Sequence, residues 1–221
     1  MIKAVFFYLG GLLVESQISS MSKYIANMFN VKPKQMEESI VKHRAKVQRG
    51  TGTEEEMWIN VCKELDIAVP NKPFREIYDE AWDEGYKEFP ETIAIAKKLK
   101  EKGYKIGVIS NSEKKTINST KKIDRLISMF DYSVLSYNYG LRANEQNGKL
   151  FKYTSKVSKV KDEEVLIILG KPKTNRLSVV ESLGLEKEGK HYKFKNSKLR
   201  AIICPTTKKL ISNLKDFDIK I

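Results

Sequence analysis

Four short stretches hold most of the residues able to act on a ligand: Tyr8-Leu9-Gly10-Gly11, Ser110-Asn111-Ser112, the loop 139–146, and Gly170-Lys171-Pro172. Each follows an apolar run. Ser110 and Asn111 offer a hydroxyl and an amide. Lys171, and Arg176 a few residues on, offer cations suited to a phosphate of a nucleotide or nucleic acid. They are equally suited to pairing with local acids or reaching solvent, where charged side chains usually sit. Tyr8 has two readings: it gates or stacks on a ligand, or it fills space with its hydroxyl satisfied locally, as buried tyrosines commonly do. Other chemistries lack their parts. His43 lies in a polar helical stretch and His191 in a charged loop, and two histidines assemble neither a triad nor a zinc set. Cys62 and Cys204 sit far apart in apolar segments and read as small buried hydrophobes, without a disulfide framework. That usage fits a reducing compartment, so a cytoplasmic location is expected.

Charge gives a second candidate surface. The 221 residues carry 41 Lys/Arg against 28 Asp/Glu, a formal +13. Residues 1–90 hold 12 Lys/Arg and 14 Asp/Glu, whereas residues 91–221 hold 29 and 14, so the excess lies in the second part. Such a bias favours polyanions, although a solvated lysine-rich surface has the same composition. Within residues 186–200, Lys190, Lys193, Lys195, Lys198 and Arg200 interleave with Tyr192 and Phe194. The alternation suits a small hairpin. Its cations could contact phosphates and its aromatics stack on bases, or the aromatics could pack on the core beneath a solvated charged surface. Lys149, Lys152, Lys156, Lys159 and Lys161, three to four apart, form one charged helix face.

The elements that must position these groups are legible from periodicity. The apolar run 4–14 has the length of a signal peptide's core, but it has only Lys3 before it and no A-x-A-like cleavage site after it. It reads instead as a buried parallel strand closing on Gly-Gly. Four helices are then expected between residues 18 and 86. Their stripes are Met21/Tyr24/Ile25/Met28/Phe29, Met36/Ile40/Val41/Val47, Met57/Trp58/Val61/Cys62/Leu65 and Phe74/Ile77/Tyr78/Trp82. Thr53 and Glu56 form a capping box for the third. From Pro90 the rhythm alternates. Helices are expected at 90–102, 117–129, 152–159 and 174–183, and strands at 105–110, 132–137, 164–170 and 200–204. Alternation implies right-handed crossovers and a parallel sheet, with ligand chemistry at the carboxyl ends of its strands. The fold class is α/β, a Rossmann-like parallel sheet (residues 1–16 plus 88–221) with an inserted four-helix cap (residues 17–87). No run approaches the ~18–20 apolar residues needed to cross a bilayer.

Read together, these motifs resemble the haloacid dehalogenase (HAD) superfamily, in its branch with a small helical cap after the first strand. The resemblance covers nearly the whole chain. Phe7-Tyr8-Leu9-Gly10-Gly11-Leu12-Leu13 matches the family's F-D-x-G-G-[VT]-L, and Ile109-Ser110-Asn111 its Ser/Thr-Asn strand end. The stretch 136–144 matches S-x-E-x-G-x-x-K-P, and 169–176 matches I-G-D-x-x-x-N-D. Arg49-Gly50-Thr51-Gly52-Thr53-Glu54-Glu55-Glu56-Met57-Trp58 matches the cap's R-G-x-x-[ST]-E-E-E-x-W.

The resemblance implies a nucleophilic aspartate that forms an aspartyl intermediate, acids that hold Mg²⁺, and a lysine that steadies the phosphoryl group. Those positions carry Tyr8, Lys171, Arg176 and Ala143, and with Gly10 they are counted as degenerate, leaving no catalytic residue. Arg142 adjoins Ala143, but neighbouring side chains on a strand or turn usually point apart. Three Asp and one Lys sum to about −2, against +2 here, a reversal that removes the metal and its phosphoryl clamp. No cofactor is expected, Mg²⁺ binding being lost. The expectation is a catalytically inactive HAD-like protein that binds RNA or a ribonucleoprotein through its basic core domain, with Ser110, Asn111, Lys171 and Arg176 as a residual anion or ligand site. The alternatives are a phosphatase-like hydrolase of altered mechanism and a scaffold for a protein partner. No membrane association is expected.

Overall fold

The computed structural model describes residues 1–15, 18–119, 121–170, 180–204 and 206–221. Lys171 and Arg176, and most of the helix expected at 174–183, lie outside the described residues. At the centre is β1 (Ala4–Tyr8), buried along most of its length because Val5 and Phe7 face one layer while Ala4 and Phe6 face the other. β2 (Lys105–Ser110) and β4 (Val165–Gly170) flank it in parallel, with β3 (Tyr132–Leu135) outside β2. β7 (Arg200–Cys204) runs parallel to β4. An antiparallel hairpin, β5 (Leu185–Glu188) and β6 (His191–Phe194), then adds to β7, giving the order β3-β2-β1-β4-β7-β6-β5. The expected hairpin therefore forms, and it turns the parallel sheet into a mixed one. Two further expectations are adjusted. Strand 132–137 stops at Leu135 and continues as a 3₁₀ turn, Ser136–Asn138, and the helix at 117–129 is two shorter ones.

Between β1 and the rest of the sheet come α1 (Ile18–Met28), α2 (Pro33–Gln48), α3 (Glu54–Glu64) and α4 (Phe74–Gly85). The Thr53/Glu56 capping box is made in both directions, at 3.1 and 2.9 Å; a cap of this kind contributes about 1 kcal/mol. The chain enters and leaves these helices side by side. Phe89 N–H donates to Leu13 O and Glu15 N–H to Lys87 O, both at 2.8 Å. A single apolar cluster runs from Val5, Phe7 and Val108 on one sheet face into Met21, Met57 and Trp58 of the inserted helices.

The sheet layer is completed by α5 (Pro90–Glu101), α6 (Lys114–Ser119), α7 (Lys121–Ser128), α8 (Tyr153–Ser158) and α9 (Thr207–Lys215). The opposite face of the sheet packs Phe6, Ile109 and Ile167 against Leu150, Phe151 and Phe194. At the end of β4 the backbone comes so close to the loop after β1 that a Cβ on Gly170 would lie 2.1 Å from Gly11 O. Only glycine permits that approach, and it brings two of the four ligand-facing loops together. Cys62 and Cys204 are free and buried, as expected, and burial pushes the Cys204 thiol up to about 11. His191, expected in a charged loop, begins β6 instead. It is half-buried, 3.3 Å from Asp216, and its ring lies 4.5 Å from that of Phe217.

Candidate functional site

The carboxyl ends of β1 and β2 open into a cleft of about 250 Å³ roofed by α2. Two local rules aim the roof. Val41, Arg44 and Gln48 are three and four residues apart on α2, so they share one helix face, and all three line the cleft. Below them, β2 runs out into Ser110-Asn111-Ser112-Glu113.

Glu113 is buried, 3% exposed, and is held by the roof. Arg44 donates to its Oε1 from Nε (2.8 Å) and Nη2 (2.6 Å), and Gln48 Nε2 donates to the same oxygen at 3.0 Å. Burial opposes the charge on Arg44, but Glu113 more than compensates and holds its pKa above the ordinary arginine value. A second fork lies at the rim. Arg49 donates to both oxygens of Glu145, from Nη2 to Oε1 and from Nε to Oε2, while Glu145 Oε2 also accepts from Arg142 N–H at 3.1 Å. Gly50, next to Arg49, has φ +72°, and a Cβ there would lie 2.7 Å from Tyr137 O. The end of α2 is thus fastened to the sheet domain by ion pairs and by close backbone contact.

Tyr8 ends β1 within this cleft, its ring 6.4 Å from that of Phe151. Burial raises its pKa above the ordinary phenol value; a backbone hydrogen bond from Asn111 and the charges of Arg142 and Arg44 oppose the shift. At neutral pH the phenol keeps its proton. Both readings of Tyr8 therefore hold in part: it fills space against Phe151 and also faces the cleft.

Ser110 and Asn111 both line the cleft. Their polar atoms are largely spent on the fold. Ser110 Oγ donates to Asn111 O at 3.3 Å, and Asn111 Oδ1 accepts from Ala143 N–H at 2.7 Å. That second bond ties the β2 end to the loop after β3.

Arg142 is a correction. It was expected to point away, yet it lines the cleft, while Ala143 is buried in the apolar cluster on the other side. The two neighbours do point apart, but in the loop after the 3₁₀ turn Ser136–Asn138 it is residue 142, not 143, that faces the cleft. Burial lowers the Arg142 pKa; Arg44 and Arg49 add to the shift, and Glu145 opposes it. Arg44, Gln48 and Glu113 were not singled out from the sequence. The spacing of Val41, Arg44 and Gln48 was the available signal, but which way that face points depends on how the inserted helices dock.

The residues present do not fit the Mg²⁺ that the family resemblance implies. The ion needs hard oxygen ligands. Glu113, the buried acid of the cleft, is occupied by Arg44 and Gln48, Gly10 has no side chain, and Arg142 adds a cation. Among the described residues no three His, Cys, Asp or Glu converge on a metal-sized site, and residues 171–179 contain none of these types.

The candidate nucleic-acid residues separate. Tyr192 and Phe194 are buried, 8% and 2% exposed, because β6 turns its alternate residues onto the sheet; Phe194 lies 4.7 Å from Phe151. Neither ring is available to stack on a base, which corrects that part of the expectation. Lys190, Lys195 and Lys198 are exposed and Lys193 is half-exposed. Arg200 is committed, donating to Glu163 O at 2.8 Å and lying 5.1 Å over the ring of Phe217. Lys152 Nζ donates to Asn196 O at 3.2 Å, beside the β6–β7 turn; of the five lysines expected on one helix face only Lys156 lies within α8, because Lys149 and Lys152 precede it in a 3₁₀ segment and Lys159, at φ 53°, and Lys161 follow it.

Comparison with known proteins defines the class. Residues 7–170 match the family model for haloacid dehalogenase-like hydrolases, and the chain belongs to that family. Among solved structures it is similar over its whole length to a predicted HAD-like family hydrolase from Porphyromonas gingivalis (17% identity, all of both chains, TM-score 0.65). It also matches a HAD family enzyme from Bacteroides thetaiotaomicron (16% identity, 97% of this chain and 98% of that one, TM-score 0.62). A third match is a HAD phosphatase from Thermococcus onnurineus (16% identity, 96% and 98%, TM-score 0.56). Curated protein sequences give no significant match. The α/β fold of the family is therefore present; at these identities the structures speak to the fold alone.

Proposed function

We propose that this chain is a haloacid dehalogenase-like family member that works by binding rather than through an aspartyl-phosphate. One observation carries the reading. Tyr8, a protonated phenol, stands at the nucleophile's position, in a cleft whose buried carboxylate is held by Arg44 and Gln48. A phenol in that state is a poor nucleophile, and an acid bonded to an arginine and an amide is a poor metal ligand. The partner in this reading is a polyanion, RNA or a ribonucleoprotein. Exposed lysines on and just after α8 and on the β6–β7 turn support it, among them Lys156, Lys159, Lys195 and Lys198. A cytoplasmic setting belongs to the same reading and rests on the two free cysteines; no helix among the described residues is long and apolar enough to cross a membrane.

Family membership favours a second reading, hydrolysis by an altered mechanism, since the similar structures include a phosphatase and a dehalogenase. Turnover of an aryl phosphate with and without Mg²⁺ separates the two. The binding reading expects no metal-dependent turnover in wild type; turnover that Tyr8→Phe abolishes would establish the hydrolytic one. RNA and duplex DNA binding across a salt series tests the partner. Micromolar affinity that falls steeply with salt is expected, and salt-indifferent or absent binding would remove the polyanion.

A further inference from the structure

The cleft has two halves of unlike chemistry. In the polar half, Arg142 Nε and Gln48 Oε1 are buried with no hydrogen-bond partner. A buried polar atom left unpaired is costly, and an acceptor brought in by a ligand would satisfy the arginine. Arg44 is neutralised by Glu113, and Glu145, which also acts on Arg142, is bonded to Arg49. Glu15 lies exposed at the rim. Among the described residues, Arg142 is therefore the cation that the cleft's interior leaves for a ligand. Beside it in the cleft, Tyr8 keeps its proton and so has an O–H to donate.

The other half is lined by Val14, Ile18, Met21, Val41 and Trp82, apolar apart from the Trp82 indole N–H, which is also buried without a partner. Val41 is 43% exposed, a β-branched side chain left in solvent at the opening. The volume of about 250 Å³ lies just under the ~300–1,000 Å³ typical of drug-sized ligands. Among the described residues, one uncompensated guanidinium matches one negative charge rather than two.

We propose that this cleft binds a small amphipathic monoanion, an apolar body bearing a carboxylate, with the carboxylate on Arg142 and Tyr8 and the body against Val41, Met21 and Trp82. The inference rests on the reading that the cleft binds without metal-dependent hydrolysis. Its ligand is separate from the polyanion, which meets the lysines of α8 and the β6–β7 turn.

Isothermal titration of the full chain with 4-phenylbutyrate, 4-phenylbutyramide and phenyl phosphate tests it. The carboxylate should bind saturably. The neutral amide should bind about ten- to a hundredfold more weakly, the span of a charge-assisted hydrogen bond, and the dianionic phosphate more weakly than the carboxylate. Arg142→Gln should lose affinity over the same range with Arg142→Lys recovering part of it, and Tyr8→Phe should lose less than Arg142→Gln. Absence of saturable 4-phenylbutyrate binding, an amide equal to the acid, a phosphate tighter than the carboxylate, or unchanged affinity in Arg142→Gln would each overturn the proposal. Should Arg142→Gln fail to fold, Val41→Asp at the solvent-exposed opening replaces it: weakened carboxylate binding supports the site, and unchanged affinity overturns it. Phenylbutyrate has no phosphoryl group or halide to lose, so its affinity is read independently of the turnover and RNA assays that decide the proposed function.

Discussion

The cleft under α2 and the basic edge around the β5–β6 hairpin are both rich in charge, and they use it in opposite ways. In the cleft, charges are mostly matched: Arg44 with Glu113 in the buried interior and Arg49 with Glu145, part-exposed, at the rim. At the edge, Lys190, Lys195 and Lys198 stand in solvent while the aromatics between them, Tyr192 and Phe194, belong to the core. A buried pair fixes geometry, because removing one partner strands the other. Exposed lysines act through their summed field and are screened by salt. Sequence composition weights the edge, where the lysines are many. Geometry weights the cleft, where a few residues are held in place.

Substitutions distinguish the two regions. The largest effect is expected at the hairpin's apolar side. Phe194→Ala should cost about 3–5 kcal/mol, as for other buried aromatics, measured by urea unfolding, and a cost near zero would mean that the hairpin is not part of the core. Glu113→Ala follows, at about 3 kcal/mol or more, because it leaves Arg44 without its buried partner. Asp83→Ala is its control. The Asp83–Lys122 pair also joins an inserted helix to the sheet domain, but its side chains are 62% and 51% exposed, so the loss should stay under about 1 kcal/mol. If the two cost the same, burial does not distinguish the cleft's ion pairs from the surface ones.

The smallest effect is a pH dependence within the inserted helices. Bonds from Lys42, Ser39 and His43 lower the Glu64 carboxyl to about 2 from its ordinary 4.5. A depressed carboxylate adds stability above its unfolded pKa and loses it as pH falls through the folded value. The contribution should therefore be intact above about pH 4.5 and fade towards about pH 2. Thermal unfolding followed by near-ultraviolet circular dichroism should show the Glu64→Gln variant losing part of this slope; an identical slope would remove Glu64 as its source.

Much of this molecule is legible in its sequence, and the residues say why. Ala4 to Tyr8 read as a buried strand, Thr53 and Glu56 cap α3 as written, and the alternation from Pro90 onward gives the order of helices and strands. Periodicity and capping are local, so they survive without knowledge of neighbours. The replacement of the nucleophile by Tyr8 is equally plain, since it is a matter of residue type at a motif position. Other features needed the packed chain. The spacing 192–194 says that two aromatics share a face, but only the pairing of β6 with β7 decides that this face is the core. Likewise Arg44 lies 69 positions from Glu113, and Arg49 lies 96 from Glu145. Sequence determined the strands, the caps and the missing carboxylate. Which charges are buried together, and so which arginine is left for a ligand, was settled only when α2 docked over the ends of β1 and β2, because ion pairing in a cleft depends on distance in space.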